Sequence, residues 1–241
     1  MQWIRAEWPA PEGIIAGTTT RVGGVSDGAY GSMNLGGHVD DDPACVAENR
    51  RRFVAGYGLE AEPDWLTQVH GTAVRPAGDT APLEADAAVA REPGATVAVL
   101  TADCLPILLC AQNGAEIAAI HAGWRGLAAG IVGATLANMQ TPPGRLLAWL
   151  GPAISQPAFE VGEEVRAAFI AGDAGADVCF LPNERGRWQA DLYALARRQL
   201  EAAGVGAVHG GSLCTVGDRE RFFSYRRDGR CGRMATFIHR P

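Results

Sequence analysis

Two histidines and a cysteine each follow a run of small apolar residues, where the end of a strand would deliver them. They are His70 in WLTQVH, Cys104 in VAVLTADC and His121 in IAAIHAGWRG. Two neutral imidazoles and a thiolate form a borderline-soft donor set that suits zinc and leaves a fourth position open. An open position is what separates a working metal from a structural one. Each residue also has a plainer reading on its own: a histidine satisfied by backbone, or a cysteine acting as a small core residue. Their separations match no compact zinc-finger spacing, so a shared site requires three strand ends to converge. Asp103, next to Cys104, is a candidate for orienting a histidine ligand, moving protons or capping the turn. Cys104 as nucleophile with His121 or His70 as base would instead make a cysteine hydrolase.

The elements around these residues follow from local pattern. GATVAVLTADC is a near-continuous apolar run, as expected for a strand buried on both faces. LPILLC and EIAAI read as the next two strands, joined by a turn at Gln112–Asn113–Gly114. WLTQVHGTAV reads as a strand broken at Gly71. HAGWRG leads into a helix over LAAGIVGATLANM, whose N-terminal N–H groups and Arg125 would face an anion. RLLAWLGPAI is a strand. Helices follow around EEVRAAFI and DLYALARRQLEAAG, the second capped by Asp191 and stopped by Gly204. Upstream, IIAGTTT is a strand entering a glycine-rich loop that matches no dinucleotide or P-loop fingerprint. Asp42 caps a helix with Pro43 in its first turn, and Val46, Phe53, Val54 and Tyr57 share one face. The tail FFSYRRDGRCGRMATFIHR reads as two strands around an Arg/Gly-rich turn, and His38, His209 and His239 as surface or turn residues. Strands and helices mix without strict alternation, which favours a layered α+β fold over a Rossmann fold or TIM barrel. No repeat or linker divides residues 1–241, so one domain is expected.

Composition narrows the function. A hydrophobic content of 47% with 20% charged residues belongs to a globular chain. A net charge of −6 disfavours nucleic acid and anionic membrane surfaces as partners. All 21 basic residues are arginine, which rules out a Schiff-base lysine, a lysine nucleophile and a P-loop lysine. Any phosphate must therefore be held by arginine, backbone N–H groups or a metal. The opening MQWIRAEWPAPEG lacks the basic and apolar regions of a signal peptide. The apolar stretch from Val97 to Ala111 is interrupted by Asp103 and Pro106 and is too short to span a bilayer. Six scattered cysteines without a C-x-x-C pair suggest reduced thiols, and a cytoplasmic location is expected.

Taken together these segments resemble the YfiH-like, or laccase-domain, proteins over nearly the whole chain. The matching segments are TTRVGGVSDGAYGSMNLGGHVDD, VAENRRRF, WLTQVHG, ADA at Ala85–Ala87, TADCLPILL, HAGWRGLAAGI, LGPAISQPAFEVGEEV and FFSYRRDGRCGRMA. Two departures touch loop shape: Asp40 replaces a glycine after His38-Val39, and Cys231 replaces a small residue or threonine. The resemblance implies a single domain of stacked mixed β-sheets flanked by helices, with zinc held by His70, Cys104 and His121. It implies a purine nucleoside phosphorylase with adenosine deaminase and methylthioadenosine phosphorylase activity, acting on a purine nucleoside and inorganic phosphate. Arg21, Arg50, Arg125 and Arg226, in matching segments, are candidates to hold phosphate; Asn34 and Gln68 are candidates for ribose or base. Copper oxidation of phenols, the family's older ascription, ranks behind zinc because multicopper chemistry needs more than five histidines. A monomer is expected.

Overall fold

The hairpin Leu105–Ala111 and Ile117–Ala122 is buried at every residue, and that burial sets the layering of the molecule. The computed structural model describes residues 2–80 and 83–241. In chain order the strands are β1 (Trp3–Arg5), β2 (Ile15–Thr19), β3 (Val74–Pro76), β4 (Ala87–Ala90), β5 (Thr96–Thr101), β6 (Leu105–Ala111), β7 (Ile117–Ala122), β8 (Leu146–Leu150), β9 (Glu160–Val161), β10 (Phe180–Pro182), β11 (Trp188–Ala190), β12 (Ala207–Gly210) and β13 (Met234–His239). The helices are α1 (Pro43–Tyr57), α2 (Trp124–Ala128), α3 (Ile131–Asn138), α4 (Glu163–Ile170), α5 (Leu192–Ala202) and α6 (Tyr225–Asp228). A six-stranded mixed sheet runs β12-β8-β6-β7-β4-β3, and a four-stranded antiparallel sheet runs β1-β2-β13-β5. A small antiparallel sheet, β10-β11-β9, lies apart from these two.

Side-chain alternation produces four layers. Leu108 and Cys110 of β6 and Ile117 and Ala119 of β7 pack against Val97, Val99 and Ile238 of the four-stranded sheet. Their neighbours Ile107, Leu109, Ala118 and Ile120 point the other way, against Leu127, Ile131, Phe169, Leu195 and Leu200 of the helices. Phe237, Ala98 and Leu100 on the outer face of the four-stranded sheet meet Phe53 of α1. Phe53 and Phe237 pack edge-on at 4.9 Å, and truncating Phe53 to alanine would cost about 3–5 kcal/mol. The mixed α+β fold of stacked sheets flanked by helices is thus the one expected.

Local signals hold at several boundaries. Asp42 accepts from Ala44 N–H at the start of α1, and Asp191 accepts from Ala194 N–H at the start of α5. Four expectations need correction. WLTQVH is not a strand; Thr67 makes only an isolated bridge with Glu84. The helix after HAGWRG breaks into α2 and α3 at Gly130, whose φ is 93°. The tail holds one strand, β13, because Phe222 and Phe223 plug the core in irregular backbone and Tyr225–Asp228 turn as a short helix capped by Ser224. His239 is also not a surface residue: it is buried on β13, with Nδ1 2.9 Å from Thr96 Oγ1.

Candidate metal centre

Cys104 sits in the tight connection between β5 and β6, and His121 sits near the end of β7, opposite Pro106 of β6. His70 arrives on the irregular segment before β3. The three donor atoms lie within 4.8 Å of one another, with Cys104 Sγ 3.7 Å from His70 Nε2. The imidazoles meet at 4.7 Å and 73°. Zinc bonds of 2.0–2.3 Å in a tetrahedron separate ligand atoms by about 3.3–3.6 Å, so the donor set fits a zinc-sized cation after a small inward movement.

One carboxylate builds two thirds of this arrangement. Asp86 is fully buried just before β4. Its oxygens accept the backbone N–H groups of Val69 (3.2 Å), His70 (2.9 Å) and Gly71 (2.7 Å). The same carboxylate lies 2.7 Å from His121 Nδ1, which leaves Nε2 of His121 to face the cluster. His70 has a φ of 61°, a left-handed conformation that a non-glycine residue keeps only when its surroundings hold it. The three N–H bonds to Asp86 are that restraint. Sequence reading assigned no role to Asp86. The available signal was a single acid between alanines in EADAA, inside a stretch that otherwise reads as buried strand.

Glycines make the room. A Cβ on Gly123 would lie 2.7 Å from His70 Cδ2 and 3.1 Å from Cys104 Sγ. A Cβ on Gly126 would lie 2.8 Å from the carbonyl oxygen of Gly71. HAGWRG thus needs both glycines so that α2 can pass behind the His70 loop.

The charges are coupled. Burial resists ionisation of the Cys104 thiol, but the attraction of His121 and hydrogen bonds from both imidazoles outweigh it and draw the thiol down to about 6. Burial likewise opposes a charged His121, yet the Cys104 thiolate and Asp86 raise it to about 9. The Asp86 carboxyl, despite burial, is held below its ordinary value by His121 and the backbone N–H groups.

The cluster opens into a cleft of about 300 Å³, lined also by His38, Gln68, Leu100, Thr101, Ala102, Tyr225 and Arg233. A second chamber of about 660 Å³ shares His38, Gln68 and Leu100 with it and is walled by Arg50, Glu62, Asp64, Trp65 and Leu83. His38, read from sequence as a surface or turn residue, is exposed but stands at the junction of the two chambers.

The other residues singled out in the sequence fall as follows. The carboxylate of Asp103 does not orient a histidine. It accepts from Thr215 Oγ1 (2.5 Å), Ser224 Oγ (3.0 Å) and Arg226 N–H (2.7 Å), anchoring the turn that carries Tyr225. Gln68 lines both chambers, but its amide is engaged with Leu100: Oε1 accepts from Leu100 N–H and Nε2 donates to its carbonyl, each at 2.7 Å. Asn34 is buried inside its own loop, bonded to Gly36, Asp41 and Arg233 N–H. Arg21 donates to the carbonyls of Gly31 and Arg219 and covers Phe223. Arg50 donates to the Leu35 carbonyl and stacks on Trp65. Arg125 is exposed over the Trp124 ring, and Arg226 donates to the carbonyls of Ala158 and Glu160. Of the four arginines only Arg50 borders a chamber continuous with the cluster. The arginine in the metal cleft itself is Arg233, from the last Gly-Arg of the GRCGRMA segment.

Residues 15–241 match the family model described as multi-copper polyphenol oxidoreductase laccase. A purine nucleoside phosphorylase of Pseudomonas aeruginosa is 52% identical over 98% of this chain and 97% of its own length. Purine nucleoside phosphorylase YfiH of Escherichia coli is 50% identical over the same shares. A crystal structure of a Neisseria meningitidis protein superposes with a TM-score of 0.95 at 48% identity, covering 99% of this chain and 98% of that one. Among the described residues no helix is long and apolar enough to cross a membrane. The chain therefore belongs to the YfiH-like, laccase-domain family.

Proposed function

We propose that this protein is a zinc-dependent purine nucleoside phosphorylase. The observation that carries the reading is the convergence of His70, Cys104 and His121 on a cleft that also receives a guanidinium. Relatives about half identical over nearly their full length bear that enzyme's name. Zinc suits two imidazoles and a thiolate with room for a fourth ligand. Copper chemistry on phenols would call on further histidines, and neither His209 on β12 nor His239 on β13 lines the cleft.

In phosphorolysis a phosphate oxygen bonds to C1′ of the ribose as the bond from C1′ to the purine nitrogen breaks. The electron pair leaves with the base, which takes up a proton, so inosine and phosphate give hypoxanthine and ribose 1-phosphate. His70, Cys104 and His121 would hold the metal, and Asp86 keeps His121 turned so that Nε2 is the donor. When bound, zinc supplies a Lewis acid and lowers the pKa of a coordinated water to about 7. Asp103 positions Tyr225 at the mouth through Ser224 and the Arg226 N–H. Adenosine deamination, in which water replaces the 6-amino group as ammonia, belongs to the same proposal. So does cleavage of methylthioadenosine, whose apolar 5′ group suits a chamber bordered by Trp65, Leu66, Leu83 and Leu100. The two chambers together reach the usual range of about 300–1,000 Å³ for small-molecule sites.

A second reading draws on the same geometry. Asp86, His121 and Cys104 line up as orienter, base and lowered-pKa thiol, the arrangement of a cysteine hydrolase. Metal analysis joined to an inosine assay separates the two. Phosphate-dependent hypoxanthine release that stops with a chelator and returns with zinc supports the phosphorylase. Full turnover by metal-free protein, abolished by alkylating Cys104, would replace it with the hydrolase.

A further inference from the structure

The two chambers differ in charge, and that difference assigns their contents. Among the described residues no aspartate or glutamate lines the metal cleft, whereas Glu62 and Asp64 both border the second chamber. A multiply charged oxyanion is repelled by carboxylates and belongs in the first. Arg233 is the guanidinium there. Its Nη1 donates to the carbonyls of Cys231 (2.9 Å) and Gly232 (3.1 Å), which fixes the side chain. Its stem packs against Gly36, where a Cβ would come within 2.8 Å of Arg233 Cγ. No protein acceptor takes Nε or Nη2 among the described residues, so that edge of the fork is free for a ligand. His38 stands beside it at the junction, and its ring has no protein partner among the described residues. Partial burial, then the nearby charges of Arg233 and Arg50, hold the His38 imidazole below its ordinary value.

We propose that Arg233 and His38 form the inorganic phosphate subsite of this cleft; Arg50, whose Nη1 lies 3.8 Å from Glu62, borders the neighbouring chamber. The assignment rests on the phosphorylase reading for its ligand. It directs the nucleoside's hydroxyls and base toward the chamber with Glu62 and Trp65. It also separates Arg233 from the arginines the sequence suggested: Arg21, Arg125 and Arg226 do not line the metal cleft. The same phosphate chemistry arises in a purine nucleoside 5′-monophosphate, so the test includes one.

Inosine phosphorolysis is measured for the zinc-loaded wild type and for Arg233→Gln, Arg233→Lys, His38→Asn and the surface control Arg185→Gln, varying phosphate and inosine separately. Zinc content is measured for each. Binding of phosphate alone, and of inosine 5′-monophosphate alone, is followed by phosphorus NMR. Arg233→Gln should raise KM for phosphate about tenfold or more, the scale of one charge-assisted interaction, with KM for inosine changed less than about twofold. Zinc content should hold, Arg233→Lys should recover part of the loss, and Arg185→Gln should match wild type. His38→Asn should move the phosphate KM in the same direction by a smaller factor. An unchanged phosphate KM, or equal rises in both KM values, overturns the assignment. So does loss of nucleotide binding in Arg233→Gln while binding of free phosphate persists. Absence of phosphorolysis in the wild type would remove the functional reading by itself. Phosphate binding to wild type but not to Arg233→Gln would still support the subsite, and no binding to either would overturn it.

Discussion

Two buried carboxylates support different walls of one cleft from behind, and they are spent in opposite ways. Asp86 takes three consecutive backbone N–H groups and one imidazole, so it holds two of the candidate metal donors. Asp103 takes two hydroxyls and one backbone N–H, so it holds the turn beneath Tyr225. Asp103 is adjacent in sequence to a donor, and Asp86 is distant from all three. The distant residue orients the donors because β4, which follows it, pairs with β7, and that pairing brings Asp86 beside His121. Being next to a ligand along the chain is thus a poor guide to which acid supports it. The strand that ends nearest the ligand's ring is a better one.

The contrast breaks most sharply at Gly123. Replacing it with alanine drives a methyl into His70 and Cys104, so stoichiometric zinc binding and activity should both be lost while circular dichroism stays native. A Gly123→Ala protein that retains one zinc would refute this account of the metal wall. Asp86→Asn comes next. An amide cannot accept all four bonds, and zinc affinity should fall about 10–100-fold in chelator competition, the usual effect of removing a carboxylate behind a ligand. Cobalt-substituted protein should show an altered thiolate-to-metal absorption band. Because the Asp86 carboxyl is depressed in the folded protein, its contribution to stability is present above its unfolded value near 3.9 and lost as pH falls through the folded value. Asp86→Asn should therefore lose stability at pH 7 and show a flatter decline in acid urea titrations.

How far the sequence reveals this architecture depends on whether the bond concerned is local. The caps at Asp42 and Asp191 are written within three residues of the N–H they accept, and both are legible. The hairpin of β6 and β7 is legible because burial on both faces leaves unbroken apolar runs. The donors His70, Cys104 and His121 are legible as chemistry, though only the fold brings them together. Asp86 is not legible, since its partners lie 15 to 35 positions away. WLTQVH looks like a strand because its composition suits one. Instead Gln68 satisfies the backbone of Leu100 with a side-chain amide, and no ladder forms. Arg233 escaped notice because its stem and one nitrogen serve the turn, which hides a free edge that only coordinates reveal.

Two cysteines sharpen the comparison between the walls. Cys104 on the metal side is drawn down to about 6, whereas burial pushes Cys231, on the Asp103 side, above its ordinary value. In metal-free protein, iodoacetamide labelling of Cys104 should rise with pH through about 6 and be near its plateau at pH 7. Cys231 should stay unlabelled there. Peptide mapping should show at least about tenfold more label on Cys104, and zinc should protect it at every pH. Labelling of Cys104 that begins only above pH 8 would contradict the coupling to His121.

Asp103→Asn is the milder counterpart of Asp86→Asn. Asp103 has a φ of 92°, and asparagine tolerates positive φ better than other non-glycine residues, so the turn survives with a weakened grip on Ser224 and the Arg226 N–H. Zinc content should remain full, while KM for the nucleoside rises about 3–10-fold as Tyr225 loses its fixed place. Loss of zinc in this variant would merge two walls that the geometry keeps apart.

The smallest effect belongs to Gln68, which ties the His70 segment to the edge of the four-stranded sheet. β5 is the terminal strand of that sheet, and Leu100 turns an otherwise unpaired N–H and C=O toward the Gln68 amide. Gln68→Ala removes both bonds and uncovers an edge, at a cost of about 1–2 kcal/mol, or roughly 3–8 °C in melting temperature for a chain of this size. Asp86 still holds the backbone of residues 69–71, so zinc affinity should fall less than about threefold. A larger loss of zinc than of stability would mean that the His70 loop is set by the sheet edge as much as by the carboxylate.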